Sequence, residues 1–262
     1  MTSVNLDKYV LNYTFERKDA RDKLLKEHLT TPVNPSELPP SVDLRPNWGS
    51  IYDQGNLGSC VSNSVSYCVR YTLVKEGETP FIPSRLFIYY NGRVNIEKSP
   101  ASEDTGLDVR DGYKSVASYS VCGENNWPYD VSKFALKPNQ TAYTAAGQHK
   151  TFKYLSVDQN LNLLKKCLKD GYPISFGFTV YDSFMTTEVA TTGIVPVPDT
   201  TKEQQQGGHC VSIVGYDDSK KTFIVANSWS ADWGDKGFCY FPYSMICDPN
   251  ICGDFWTPRV FK

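Results

Sequence analysis

The sequence lacks the features that would place it in several broad classes. No apolar run approaches the ~18 residues of a membrane-spanning helix. The opening MTSVNLDKYVLNYTFERKDARDK carries Asp7, Lys8, Glu16, Arg17 and Lys18 where a secretion signal needs an apolar stretch. The expectation is a soluble chain with no membrane partner and the cytoplasm as its default location. Charge of one sign is not in excess: 27 basic and 29 acidic residues leave a net charge of −2, which gives no reason to expect a nucleic-acid partner. Eight cysteines are present, yet none forms a C-x-x-C pair, so neither a zinc knuckle nor a thioredoxin-type redox site is indicated, and no metal or cofactor is expected. Most of these cysteines read as buried small hydrophobes, with a Cys247–Cys252 bridge as the one pairing that proximity suggests.

What is present is an ordinary globular composition: 262 residues, 40% apolar and 13% aromatic, enough for one large domain or two lobes with a sizeable core. Residues 1–37 differ from the rest. A charged stretch, FERKDARDKLLKEHL, places Phe15, Leu24, Leu25 and Leu29 on a loose helical stripe and then meets Pro32, Pro35, Pro39 and Pro40, which favour an extended strap. From Ser59, Val61, Val65, Cys68, Val69, Thr72 and Leu73 recur at three- and four-residue steps up to Gly77, predicting a buried helix with Cys60 at its N-terminus. Further helices are expected across PSRLFIYYNGRV, from Arg110 to Tyr119, and from an Asp158 cap to Gly171. After Gly171 the pattern changes to β-branched and aromatic runs, PISFGFTV, HCVSIVGY, TFIVANSW and GFCYFPY, which read as strands. Helices followed by antiparallel strands predict an α+β chain with two lobes.

Only three histidines can carry acid–base chemistry at neutral pH. His28 and His149 lie in polar stretches and read as surface residues. His209 follows Gly207 and Gly208 and opens an apolar strand, which places an imidazole at an accessible rim. Cys60 closes the run Asp53-Gln-Gly-Asn-Leu-Gly-Ser-Cys60 at a helix N-terminus, where free amides and the macrodipole favour a thiolate. Gln54 stands six residues upstream, and Ala226-Asn-Ser-Trp229 follows the histidine. Trp229 and Trp233 read equally well as core aromatics.

Taken together, Gln54-Gly-Asn-Leu-Gly-Ser-Cys60, Gly208-His209 and Asn227-Ser-Trp-Ser-Ala-Asp-Trp-Gly-Asp-Lys-Gly237 resemble the papain/cathepsin family of cysteine peptidases. Pro40-Ser-Val-Asp-Leu-Arg45 is similar to the opening of that family's mature chains, and the resemblance runs from about residue 38 to 262. It implies a papain-like two-lobe fold, with a helical L lobe at about 38–150, an antiparallel β-barrel-like R lobe at about 151–262, and the active-site cleft between them. It implies catalytic roles for Cys60, His209, Asn227 and Gln54, and a cleft lined by Gly208, Trp229 and Gly106. Gly106 lies in Asp104–Leu107, which stands where the family has a Gly-Cys-Asn-Gly-Gly loop. The chain departs from the family pattern at Leu57, where a disulfide cysteine is usual, at Val61, where an aromatic is usual, and at Ser230, which replaces a glycine. No His-His pair supports carboxydipeptidase activity.

The implied mechanism is attack of a Cys60 thiolate on a peptide carbonyl, proton delivery by His209, orientation of His209 by Asn227, and oxyanion binding by Gln54 and the Cys60 amide. The expected partners are protein or peptide substrates, and the expected state is a monomer. Acyl transfer of the transglutaminase kind and a catalytically weak peptide-binding homologue are the alternative readings. Residues 1–37 correspond in position to an inhibitory propeptide. The chain is therefore expected to be a zymogen activated by cleavage between Thr30 and Leu38.

Overall fold

The computed structural model describes residues 6–149 and 152–260. Its centre is helix α1 (Cys60–Lys75), which packs along strand β4 (Gln205–Asp217) and is buried almost all round. A one-sided stripe does not account for that burial. The other faces carry small polar residues that bond within the core: Ser64 Oγ donates to Ser175 Oγ (2.8 Å), Ser66 Oγ to the Pro83 carbonyl (2.7 Å), and Ser62 Oγ to the Ser59 carbonyl (3.0 Å). Helix α2 (Arg85–Tyr90) starts under a Ser84 cap and runs into a π-helical turn over Asn91–Ile96, which together fill the expected second helix. Helices α3 (Val109–Tyr119) and α4 (Gln140–Ala146) complete the N-terminal helical part.

Strand β1 (Ser41–Asp43) pairs with β4, so the chain just after the proline run is already tied to the sheet. The remaining strands are β2 (Phe152–Ser156), β3 (Ile174–Tyr181), β5 (Thr222–Ala226), β6 (Phe238–Pro242) and β7 (Cys252–Val260). Helices α5 (Leu161–Lys169), α6 (Thr187–Thr192) and α7 (Tyr243–Ile246) lie between them. The sheet is antiparallel in the order β2-β7-β3-β4-β5-β6. Its core is aromatic, with Phe178 in ring contact with Phe176, Phe184 and Phe241. The helices followed by an antiparallel sheet give the α+β architecture expected.

Four expectations need correction. The stretch 15–29 is not a long helix; only Leu25–His28 makes a 3-10 turn. A lone amphipathic segment of that length is marginal, and here its groups are committed to the body of the protein. Leu24 bridges Ser156 in parallel, and Asp22 pairs with Arg110 at 2.8 Å. The cap of α5 is Asn160, whose Oδ1 accepts from the amides of Asn162 and Leu163, because Asp158 is engaged with Lys26 of the strap at 3.0 Å. All eight cysteines are free, so Cys247 and Cys252 form no bridge, and seven of the eight are buried. His28 is exposed as expected, whereas His149 is half-buried and stacks on Phe81 at 4.2 Å.

Candidate active site

The site forms where the N-terminus of α1 meets β4 and the segment after β5. Cys60 is the first residue of α1 and is 1% exposed. The groups that favour its charged form are its own amide and those of Val61 and Cys210, the last of which immediately follows His209. Burial outweighs them and pushes the thiol up to about 12.

His209 is fully buried, and its Nε2 lies 2.8 Å from Asn227 Oδ1. The same Oδ1 accepts the Ser228 amide at 2.8 Å, so it is an oxygen and an acceptor. Nε2 must then carry the proton and donate, which leaves Nδ1 as the lone-pair nitrogen of the neutral ring. That Nδ1 is buried without a hydrogen-bond partner. Burial lowers the imidazole to about 4, against the favourable bond to Asn227. Trp229 stacks on the ring at 4.8 Å and keeps water from the His209–Asn227 bond.

Gln54 is buried and tied to the same segment. Its amide donates to the Ser228 carbonyl (2.9 Å), its Oε1 accepts from Ser228 Oγ (2.8 Å), and its Nε2 donates to the Leu57 carbonyl (3.1 Å). The Ser228 side chain thereby fixes which end of the Gln54 amide faces the Cys60 turn. Sequence reasoning did not single out Ser228, because its role exists only once residues 54 and 228 are adjacent. Tyr129 was missed for the same reason: its hydroxyl donates to the Gln54 carbonyl at 2.8 Å and meets Ser59 Oγ at 2.5 Å. Behind it, Arg85 stacks on Tyr129 at 3.8 Å and pairs with Glu124 at 2.6 Å. Asp104 closes the other side of the turn by accepting the Gly58 amide at 2.8 Å and the Tyr89 hydroxyl.

The strap passes directly over these groups. Asn12 forms a parallel bridge with Gly208: the Tyr13 amide donates to the Gly208 carbonyl and the Gly208 amide to the Leu11 carbonyl, both at 3.3 Å. Asn12 Nδ2 donates to the Asp104 carbonyl at 3.0 Å, and the Asn12 side chain overlies Gly58 and Gly106 so closely that a Cβ at either glycine would overlap or crowd it. Tyr9 stacks on Trp229 at 4.6 Å and 8°. Gly106, Gly208 and Trp229 therefore face a segment of this same chain.

The sequence profile described as papain family cysteine protease matches residues 38–253. The chain belongs to the papain family of cysteine proteases. An uncharacterized peptidase C1-like protein of Acanthamoeba polyphaga mimivirus is 40% identical over 95% of this chain and 83% of its own. Xylellain, a cysteine protease from Xylella fastidiosa, is 34% identical with a TM-score of 0.86 over 97% of both chains, a span that leaves no room for the strap to lie outside the match. A procathepsin B from Trypanosoma congolense shares the fold with a TM-score of 0.71 at 18% identity, over 96% of this chain and 87% of that one. The expectation of a papain-like cysteine peptidase is thus met, and the acyl-transferase and non-catalytic alternatives are not favoured.

Proposed function

We propose that this papain-family peptidase is a zymogen in which residues 1–37 hold the site closed, with Cys60 as nucleophile, His209 as proton carrier, Asn227 as its orienter and Gln54 as oxyanion donor. The observation that carries the reading is the pairing of Asn12 and Tyr13 with Gly208, which puts the strap in the cleft between the turn of Cys60 and the strand of His209. In the covered state the thiol and the imidazole are both neutral, because the medium around them is too poor to solvate an ion pair. Uncovering the cleft readmits water, lets the proton pass from Cys60 Sγ to His209 Nδ1, and leaves a thiolate beside an imidazolium still held by Asn227. The thiolate attacks the carbonyl carbon, the developing oxyanion is met by the Gln54 side chain and the Cys60 amide, and the imidazolium protonates the leaving amine. Water then hydrolyses the acyl-enzyme with His209 as base.

Residues 30–37 are exposed apart from Val33, so a processing protease can reach the stretch between Thr30 and Leu38. The test compares Cys60 labelling by an epoxysuccinyl peptide, and hydrolysis of a peptide amide, before and after limited proteolysis there. At least a several-fold gain in both is expected, with neither signal in Cys60→Ala. Equal rates before and after cleavage, in protein that remains folded, would remove the inhibitory role; hydrolysis retained by Cys60→Ala would remove the nucleophile.

A further inference from the structure

Two glycines frame the helical side of the cleft beside Cys60. Gly58 lies in the turn that carries Cys60, and Gly106 lies in the loop 104–107. Asn12 of the strap fills the space between them: a Cβ at Gly58 would overlap the Asn12 side chain, and one at Gly106 would stand 2.8 Å from the Asn12 carbonyl oxygen. A peptide that takes the place of the strap meets both edges, so their separation decides where its carbonyl stands relative to Cys60. No covalent crosslink sets that separation, because all eight cysteines are free and Leu57 stands in the turn. A relay of hydrogen bonds does. The Gly58 amide donates to Asp104 Oδ2 at 2.8 Å, the Tyr89 hydroxyl donates to Asp104 Oδ1, and the Gly106 amide donates to the Tyr89 oxygen at 3.2 Å. Tyr89 belongs to α2 and is fully buried, which anchors the relay in the helical part of the protein.

We propose that Asp104 is a positioning residue of the peptidase site: by accepting from Gly58 and from Tyr89 at once, its carboxylate fixes the spacing of the two glycine edges between which a substrate backbone lies. The proposal rests on the peptidase reading above and gives Asp104 no contact with the reacting atoms. A carboxylate suits the place because both of its oxygens accept. Asparagine has the same shape but one accepting oxygen, and it turns an amide NH2 toward the second donor, so either the Gly58 amide or the Tyr89 hydroxyl proton is left without an acceptor. Electrostatic help to the nucleophile does not explain a charge here. Burial is the chief cause of the raised Cys60 thiol, and the Asp104 carboxylate adds to the rise. Asp104 therefore holds the turn in place while opposing the thiolate, and the opposite signs of these two effects let an experiment separate them.

The experiment labels Cys60 in the full chain over a range of pH with two reagents, and reads the modification at Cys60 by peptide mass spectrometry. Iodoacetamide needs only the thiolate, whereas an epoxysuccinyl peptide must also lie between Gly58 and Gly106. Opening of the strap is common to both and cancels in the ratio of their rates. Asp104→Asn and Tyr89→Phe, each nearly isosteric, are expected to lower the peptide-to-iodoacetamide ratio by about tenfold or more, on the scale of the roughly hundredfold that a misplacement of about 1 Å can cost. In Asp104→Asn the iodoacetamide rate itself does not fall, and its rise with pH begins at lower pH, because the charge that opposes the thiolate is gone. A ratio unchanged in Asp104→Asn overturns the proposal, as does a fall of both rates in step, the mark of a general loosening of the fold. Should Asp104→Asn fail to fold, the ratio in Tyr89→Phe decides in the same way. Failure of both reagents to label Cys60 in the unaltered chain at any pH overturns the peptidase reading and this proposal with it, whereas labelling by both at a ratio that the variants leave unchanged overturns the proposal alone.

Discussion

Tyr9 offers a graded way to loosen the strap without touching the groups assigned to chemistry. It is 6% exposed, its ring lies flat on Trp229 at 4.6 Å, and its hydroxyl donates to the Trp229 carbonyl at 3.0 Å. Trp229 in turn stacks on His209, so Tyr9 is the outermost of three layered rings over the site. Tyr9→Phe removes only the hydrogen bond, about 1 kcal/mol, which should raise the open population about fivefold. Tyr9→Ala also removes the buried ring and its stacking, about 3 kcal/mol in all, or about a hundredfold. The adjacent Lys8–Asp53 pair, 3.0 Å apart with both side chains about 40% exposed, adds little. The assay is the initial rate of Cys60 labelling in freshly purified protein whose strap is shown intact by mass spectrometry. Rates should rise from wild type through Tyr9→Phe to Tyr9→Ala. Labelling of Tyr9→Ala at the wild-type rate, with an unchanged melting curve, would refute the argument that these contacts hold the cleft shut.

Three further outcomes are expected. On the roles proposed above, His209→Ala should lower kcat more than Asn227→Ala, because the first would remove the proton carrier and the second only its 2.8 Å bond; kcat of the two variants after strap cleavage decides it, and a reversed order would mean the pair is misassigned. Glu16 is raised to about 8 by burial, with the nearby Asp254 carboxylate adding to it, and should return toward its ordinary ~4.5 once the strap is free. A group whose pKa is raised in the closed state supports closure below its free value and loses that support as pH rises through the closed one. Labelling of intact protein should therefore quicken as pH rises toward the Glu16 value of about 8, and Glu16→Gln should flatten that profile. Finally, Arg85→Met leaves Glu124 half-buried without its 2.6 Å partner and strips the stack from Tyr129, so thermal unfolding should report a loss of about 3 kcal/mol, the usual consequence of breaking a largely buried pair; a melting point equal to wild type would contradict it.

Much of this protein is decided locally and is therefore legible in the chain. Cys60 follows a glycine-containing turn and begins a helix, His209 follows two glycines into a strand, and the runs that became β3 to β6 carry β-branched and aromatic residues that suit few other conformations. The three motifs, each short and internally constrained, sufficed to suggest the papain fold. Pairings between distant residues were out of reach. Ser228 matters only because residue 54 folds beside it, and Tyr129 because it lies under the Gln54 carbonyl. Asp254 accepts from the Tyr13 hydroxyl and the Glu16 amide only because β7 lies beside β3 in the assembled sheet. Strands β2 and β7 escaped notice because Lys153, Asp254 and Pro258 break the alternation that marks a strand, while their backbone bonds to each other and to β3 come from the assembled sheet. The strap shows the division most plainly. Its sequence promised a helix, since charge and leucine spacing are all that a local reading weighs. In the folded protein, Arg110, Asp254, Gly208 and Trp229 offer its residues better partners than the segment can offer itself, and it lies extended across the cleft.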